Sequence, residues 1–269
     1  MSMDNRIIKS GQDGCPDIFC INGNGIIRLE SVNSTNSFLK ENAMNYTEGT
    51  IVIAKEQTAG RGRLGRTWNS DKGDGIWMSF LLKPDLEPVN CSGITLVTAL
   101  SLTRALRELT GLNLLIKWPN DIVCNGRKLV GILTEMSVRD MQTEYVVVGM
   151  GINVNTKYFP EDIKDVATSL YLEGVEEKDF DIIIKKFCVE FEKDYRAYIS
   201  TGNMSLLKKE YEELLVNCNK EVSLIENGQT RLGKALGINE EGELLFMDDF
   251  GVSTIRAGEV SVRGIYGYV

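Results

Sequence analysis

Residues 60–75 read Gly-Arg-Gly-Arg-Leu-Gly-Arg-Thr-Trp-Asn-Ser-Asp-Lys-Gly-Asp-Gly, and no helix can propagate through such a run. Its glycines and turn formers stop a helix. Thr50 to Lys55 before it and Ile76 to Lys83 after it are strand-like. The chain must therefore leave one strand, make a long loop and return as another. Gly60, Gly62 and Gly65 also satisfy G-x-G-x-x-G, but a dinucleotide fold needs a helix to start at the third glycine. Arg66 to Asp71 leads into further turns instead, so that reading fails. Gly228 to Lys234 satisfies G-x-x-x-x-G-K, yet Ala235 stands where a Ser or Thr would hold Mg²⁺, and the surroundings are hairpins.

Around the loop, short strands alternate with a few helices. Ile26 to Glu30 reads as a strand, and Ser34-Thr35-Asn36 caps a short helix carrying Phe38, Leu39 and Ala43. Ile94 to Leu109 has the apolar stripe of a buried helix. Leu114 to Trp118 and Ile122 to Cys124 are short strands; Asn125-Gly126 is a hairpin turn into Lys128 to Ser137, and Tyr145 to Val154 is another strand. Phe180 to Ile199 and Met204 to Val216 have helical spacing. Beyond Asn217 come short strands at Glu221 to Ile225, Thr230 to Ile238, Glu243 to Met247, Val252 to Ala257 and Val260 to Arg263, the pattern of a small antiparallel barrel.

The expected organisation is a loose leader over residues 1–24, an α+β domain over 25–217 with a mixed sheet flanked by helices, and a C-terminal barrel over 218–269. The strand from Tyr145 could be an edge that pairs across a two-fold axis or one that stays solvated, which leaves monomer and homodimer both open.

The chain contains no histidine. That removes Ser-His-Asp and Cys-His catalysis, imidazole proton shuttles and His-bound zinc, and leaves charge stabilisation by Arg and Lys. Lys and Arg total 30 against 38 Asp and Glu, a net charge of −8 that repels nucleic acid and anionic membranes at long range. An anion site has to be built locally. Cysteines at 15, 20, 91, 124, 188 and 218 form no C-x-x-C pair, and no apolar run could cross a bilayer. Free thiols in a reducing cytoplasm are the expectation.

Two clusters carry chemistry. Arg61, Arg63 and Arg66 in the glycine loop offer guanidinium forks that match phosphate or carboxylate oxygens, with Trp68 as a stacking surface. An Arg-Gly nucleic-acid segment or a solvated loop fits the same residues. Lys117-Trp118-Pro119-Asn120-Asp121 sets a cation, an aromatic, an amide and a carboxylate at a corner between strands. There the amide can read a ring edge, and the carboxylate can hold Mg²⁺ or orient a cation; a core tryptophan with a solvated aspartate is the plainer alternative. Lys128 could stabilise charge on a phosphoryl group. Gly149 to Asn153 puts glycines inside a strand, for close approach or for a bulge.

Taken together and in this order, these segments resemble the biotin protein ligases. The matching segments are Ser34-Thr35-Asn36, Gln57-Thr58-Ala59 with Gly60 to Arg66, Lys117 to Asp121, Arg127-Lys128-Leu129 with Gly131-Ile132-Leu133, and Gly149 to Asn153. The likeness runs from about Ile26 to the C-terminus, where Gly258-Glu259-Val260-Ser261 resembles the family's final strand. It implies a class II synthetase-like catalytic domain with an SH3-like C-terminal barrel. It also implies the catalysis-only class, because a short leader stands where other members carry a DNA-binding domain, and so no nucleic-acid partner.

The implied reaction joins biotin to ATP, with Mg²⁺, as biotinyl-5′-AMP. The biotinyl group then passes to a lysine of a carboxylase's biotin carboxyl carrier domain. On this resemblance Ser34, Thr35, Asn36, Gln57, Gly60, Arg61 and Gly131 would hold biotin, with Lys128 also facing its carboxylate. Arg63, Arg66 and Lys128 would neutralise the anions, Trp68 would cover the adenine, Lys117, Asn120 and Asn153 would meet the nucleotide, and Asp121 would support Mg²⁺ or align the cations. The Gly60 to Gly75 loop is expected to be disordered until ligand arrives and then to close. A lipoate or related ligase, a biotin sensor without turnover and an RNA-binding module are the alternatives.

Overall fold

The computed structural model describes residues 7–8, 19, 25–176, 179–226, 228–257, 260–264 and 268–269. Its larger sheet has eight strands: β1 (Ile7–Ile8), β2 (Ile26–Leu29), β3 (Ile51–Ala54), β4 (Gly75–Leu82), β5 (Leu114–Lys117), β6 (Asp121–Cys124), β7 (Arg127–Arg139) and β8 (Gln142–Asn153). Their order is β1-β2-β3-β4-β8-β7-β6-β5, with β2 and β3 parallel and every other pair antiparallel. The sheet is mixed, as expected.

Alternation along the strands feeds two cores. Val52, Leu81 and Val147 pack with Leu39 of helix α1 (Thr35–Asn42) and with Ala43 just past its end on one face. Ile51, Ile53, Phe80, Leu82, Val146 and Val148 join the main core on the other, under helices α2 (Gly93–Thr110) and α3 (Phe180–Thr201). Both faces of the central strands are thus covered, which is why β4 is buried throughout. Gly111 (φ 71°) and Gly202 (φ 70°) end α2 and α3 in the left-handed conformation. Arg104 of α2 ties the helices together through Asp194 (2.6 Å) and Glu190 (3.1 Å) of α3 and Glu210 (2.7 Å) of α4 (Lys208–Leu214).

The second sheet, β9 (Lys220–Glu226), β10 (Gln229–Ile238), β11 (Leu244–Asp248), β12 (Gly251–Ile255) and β13 (Val260–Gly264), is antiparallel throughout in the order β12-β11-β10-β9-β13. Its inner residues, among them Val222, Leu224, Phe246 and Val262, belong to the main core. The indole N–H of Trp118 donates to Gly242 O (3.1 Å), so the corner between β5 and β6 is docked against this sheet.

Four expectations change. The helix over Met204 to Val216 shortens to Lys208–Leu214. Met204 N donates instead to Glu240 O (2.7 Å) and Val216 N to Ile116 O (2.8 Å), so tertiary partners claim both ends. The strand from Tyr145 is no edge: β8 lies between β4 and β7. The β7–β8 hairpin is longer than expected and turns on Asp140 (φ 51°) and Met141 (φ 64°), a left-handed pair without the usual glycine. The leader, most of which lies outside the described residues, is not wholly loose. Phe19 is 3% exposed, and its ring centre lies 5.7 Å from Phe80 and 6.0 Å from Phe191.

Phe19→Ala is accordingly expected to lower stability by about 3 kcal/mol, read from the urea midpoint. A change under about 0.5 kcal/mol, the size of an ordinary surface substitution, would show that the leader contributes nothing. The described cysteines, Cys91, Cys124, Cys188 and Cys218, are free thiols, while Cys15 and Cys20 lie outside the described residues. Among the described residues no helix is long and apolar enough to cross a membrane.

Candidate active site

Two adjoining cavities open on one face of the larger sheet, beneath the loop that joins β3 to β4. The loop is folded over them as a strap. Gly62 N donates to Arg66 O (2.7 Å) and Trp68 N to Gly60 O (2.9 Å), and a 3-10 turn at Arg63–Gly65 sets Leu64 at φ 57°. A leucine in the left-handed region is strained, so the strap holds this shape against a local preference.

The floor is the pair Gly131 and Gly151, opposite each other on β7 and β8. The Trp68 ring lies directly on them: a Cβ added to Gly131 would fall 2.8 Å from Trp68 Cζ3, and one on Gly151 would fall 2.3 Å from Trp68 Nε1. Glycine is required at both positions because any side chain would lift the indole. Trp68 Nε1 is buried without a hydrogen-bond partner among the described residues, a donor that a ligand oxygen would satisfy.

Polar side chains line the smaller cavity. Gln57 accepts from Thr35 N (2.9 Å) and Thr35 Oγ1 (3.1 Å) and donates to Ser70 Oγ (2.8 Å). Ser79 Oγ lies 2.6 Å from both Thr35 Oγ1 and Asn36 Oδ1. Asn36 donates to Leu133 O and to Glu135, which also takes Lys40 (2.7 Å) and Arg61 (3.0 Å). Of the residues expected to hold biotin, Ser34, Thr35, Asn36, Gln57, Arg61, Lys128 and Gly131 line this cavity. Gly60 does not; it braces Trp68 from behind.

The larger cavity, about 230 Å³, is lined by Arg63, Arg66, Trp68, Lys117, Asn120, Asp121, Lys128 and Asn153 from the sequence clusters. The Trp118–Pro119 peptide at its corner is cis. Lys117 and Asp121 face each other across β5 and β6. A bulge between Ile122 and Val123 then sets Lys128 opposite Val123, on the same side of the sheet as Asp121. Lys128 Nζ thereby reaches Asp121 Oδ1 at 2.6 Å and lies 5.1 Å from the centre of the Trp68 ring. Arg63 donates to Asn120 Oδ1 (2.9 Å) and reaches the carbonyls of Ala257 (3.4 Å) and Val260 (3.2 Å).

Burial would raise the Asp121 carboxyl, but the ammonium groups of Lys128 and Lys117 and the hydroxyl of Tyr268 outweigh it and hold it below the usual carboxylate range. Burial pulls Lys117 down to about 8; Asp121 opposes the shift, while Lys128, Arg263 and Arg66 add to it.

The partners of three expected site residues are as follows. Asp121 has Oδ1 on Lys128 and Oδ2 on Tyr268, an arrangement that suits the cation-aligning half of its expectation. Among the described residues no group of three or more Asp, Glu or Cys could hold a metal ion. Asn120, expected at the nucleotide, has its amide committed to Arg63 and to Ile132 O (2.9 Å), and the amide of Asn153 donates to Thr168 O (3.1 Å).

Ser70, Ser79, Glu135 and Tyr268 were missed by sequence reasoning. Ser79 was within reach, because it shares a face of β4 with Trp77, and its partner across the sheet is Gly149. Ser70 lies in the loop itself, bonded to Trp68 O and Gln57, whereas Glu135 and Tyr268 meet the site only through distant pairings.

Residues 28–153 match the Biotin/lipoate A/B protein ligase family. Over 243 residues the chain is 38% identical to the Bifunctional ligase/repressor BirA of Bacillus subtilis, covering 89% of this chain and 74% of that protein. It is 31% identical over 253 residues to the Biotin--[acetyl-CoA-carboxylase] ligase of Mycobacterium tuberculosis, covering 88% and 90%. A solved biotin protein ligase from Aquifex aeolicus, in complex with biotin and ATP, superposes with a TM-score of 0.79 at 34% identity, over 89% of this chain and 98% of that one. With the glycine floor, the Arg-Gly strap and the lysine pair in place, and with this likeness along most of its length, the chain belongs to the Biotin/lipoate A/B protein ligase family, among its biotin protein ligases.

Proposed function

We propose that the protein activates biotin with ATP to give biotinyl-5′-AMP and pyrophosphate, then transfers the biotinyl group to a lysine of a carboxylase's biotin carboxyl carrier domain. One observation carries this reading: Arg63 and Lys128 line both cavities and stand where the two meet. A carboxylate held on one side and a phosphate on the other repel each other, and cations at the junction remove that repulsion.

A biotin carboxylate oxygen attacks the α-phosphorus, and the bond to the β-phosphate oxygen breaks as pyrophosphate leaves. The neutral amine of the acceptor lysine then attacks the acyl carbon, AMP departs with the electron pair of the anhydride bond, and the amine proton passes to water. Positioning and fixed charge suffice for both steps, in keeping with a chain that has no imidazole. On this reading residues 25–217 form the catalytic domain, and 218–269 form a C-terminal domain that walls the nucleotide cavity through Val260, Ser261 and Val262.

The test is incubation with biotin, Mg²⁺ and α-labelled ATP. Labelled adenylate with pyrophosphate supports a biotin ligase; turnover with lipoate alone, or binding without turnover, overturns it.

A pH effect follows from Lys117. Its ammonium is intact below about pH 8 and is lost above that. Bound triphosphate favours the charged form, so ATP binding above pH 8 should take up a proton. The affinity should fall by up to about tenfold per pH unit there. Calorimetry in buffers of different ionisation heat reads the uptake, and the same proton count at pH 7 and pH 9 would contradict it.

A further inference from the structure

Tyr268, which lies outside the matched motifs, touches Lys117 and its partner Asp121. Its hydroxyl donates to Asp121 Oδ2, and Lys117 Nζ stands 3.5 Å from the centre of its ring. Its surroundings are prepared for it: the neighbouring Val269 lies against Gly264 and against Gly126 in the β6–β7 turn, where even a methyl group would crowd it. Tyr268 also lines the larger cavity.

We propose that Tyr268 is a positioning residue for the reaction inferred above, its hydroxyl setting the Asp121 carboxylate and its ring seating the Lys117 ammonium. The Asp121 carboxylate has two oxygens and three claimants. Lys128 takes Oδ1 at 2.6 Å, Tyr268 takes Oδ2, and Lys117 sits across the β5–β6 pair from both. While the phenol holds Oδ2, the carboxylate cannot turn to share itself between the two lysines, and Lys128 stays at the junction of the cavities. Without the phenol, Oδ2 is a buried acceptor with no partner but Lys117. The carboxylate then rotates toward Lys117 and draws Lys128 off the line between carboxylate and phosphate. The ring acts separately. It offers a π face to a buried ammonium and fixes where that charge meets the nucleotide.

The two halves of the role come apart in two variants. Tyr268→Phe keeps the ring and deletes the hydroxyl. It should lower kcat for adenylate formation about tenfold, as loss of a hydrogen bond to a charged group does, with KM for ATP within about twofold of wild type. Tyr268→Leu deletes both and should in addition raise KM for ATP about fivefold through loss of the cation–π contact. Restoration of KM but not kcat by phenylalanine is a signature that a merely structural residue would not give, and matching thermal melts exclude misfolding.

Wild-type kcat in Tyr268→Phe, or parallel losses of kcat and KM in both variants, overturns the inference. Wild-type protein in the same assay judges the functional reading independently: if it makes no adenylate, that reading fails. Calorimetric binding of ATP alone, equal for the Phe and Leu variants, would then still overturn the proposed seat for Lys117.

Discussion

Lys128→Ala should reduce biotinyl-5′-AMP formation by about a thousandfold, the cost of removing a preorganised charge from a developing transition state. Lys128 is set by three features at once. The bulge at Ile122/Val123 turns it to the cavity side, Asp121 holds its ammonium at 2.6 Å, and the Trp68 ring lies 5.1 Å away. The nearby cations are placed differently. Lys117 lies across β5–β6, and Arg63 is engaged with Asn120. Removing Lys128 also leaves Asp121 short of a partner in a buried site, so some stability is lost, and the melt has to be recorded beside the rate. Pyrophosphate release measured under single-turnover conditions reads the step directly. Wild-type rates in the variant would remove Lys128 from the chemistry.

Arg63→Gly should leave adenylate synthesis measurable but release the intermediate, so that bystander proteins are labelled indiscriminately. Among the described residues Arg63 fastens the strap to Asn120 at the β5–β6 corner and to the carbonyls of Ala257 and Val260 at the second sheet. Glycine removes both fastenings and adds backbone freedom next to Leu64, which already sits in a strained conformation at φ 57°. Charged hydrogen bonds of this kind are worth enough that the off-rate of the adenylate should rise at least about thirtyfold. Retention of labelled adenylate on the protein over time, together with biotin blots of unrelated proteins, measures it. Wild-type retention would show that the strap is held shut without Arg63.

These expectations draw on parts of the molecule that the sequence revealed to different degrees. The Asn125-Gly126 turn was legible because φ values of 49° and 77° suit Asn and Gly. The β7–β8 turn was not, because Asp140 and Met141 adopt the same left-handed geometry without advertising it. The long helices α2 and α3 stood out by periodicity, whereas α4 was overextended because Met204 and Val216 are claimed by distant backbone groups. The Arg-Gly strap and the Lys117 to Asp121 corner were found by residue type and spacing. That Asp121 meets Lys128 and Tyr268 was not legible in the sequence, because both partners come from other elements.

Sequence alone determined which segments become strands and helices, that a basic loop must hang between β3 and β4, and that catalysis would run on fixed charge without imidazole. These are properties of neighbouring residues: periodicity, turn chemistry and residue type act within a few positions of one another. Tertiary structure alone decided that Lys128 faces Asp121, that Trp68 lies on Gly131 and Gly151, that Glu135 holds Arg61, and that Tyr268 reaches Asp121 from 147 positions away. Those pairings depend on sheet order and on the docking of one sheet against another, and no local rule of chain conformation encodes them.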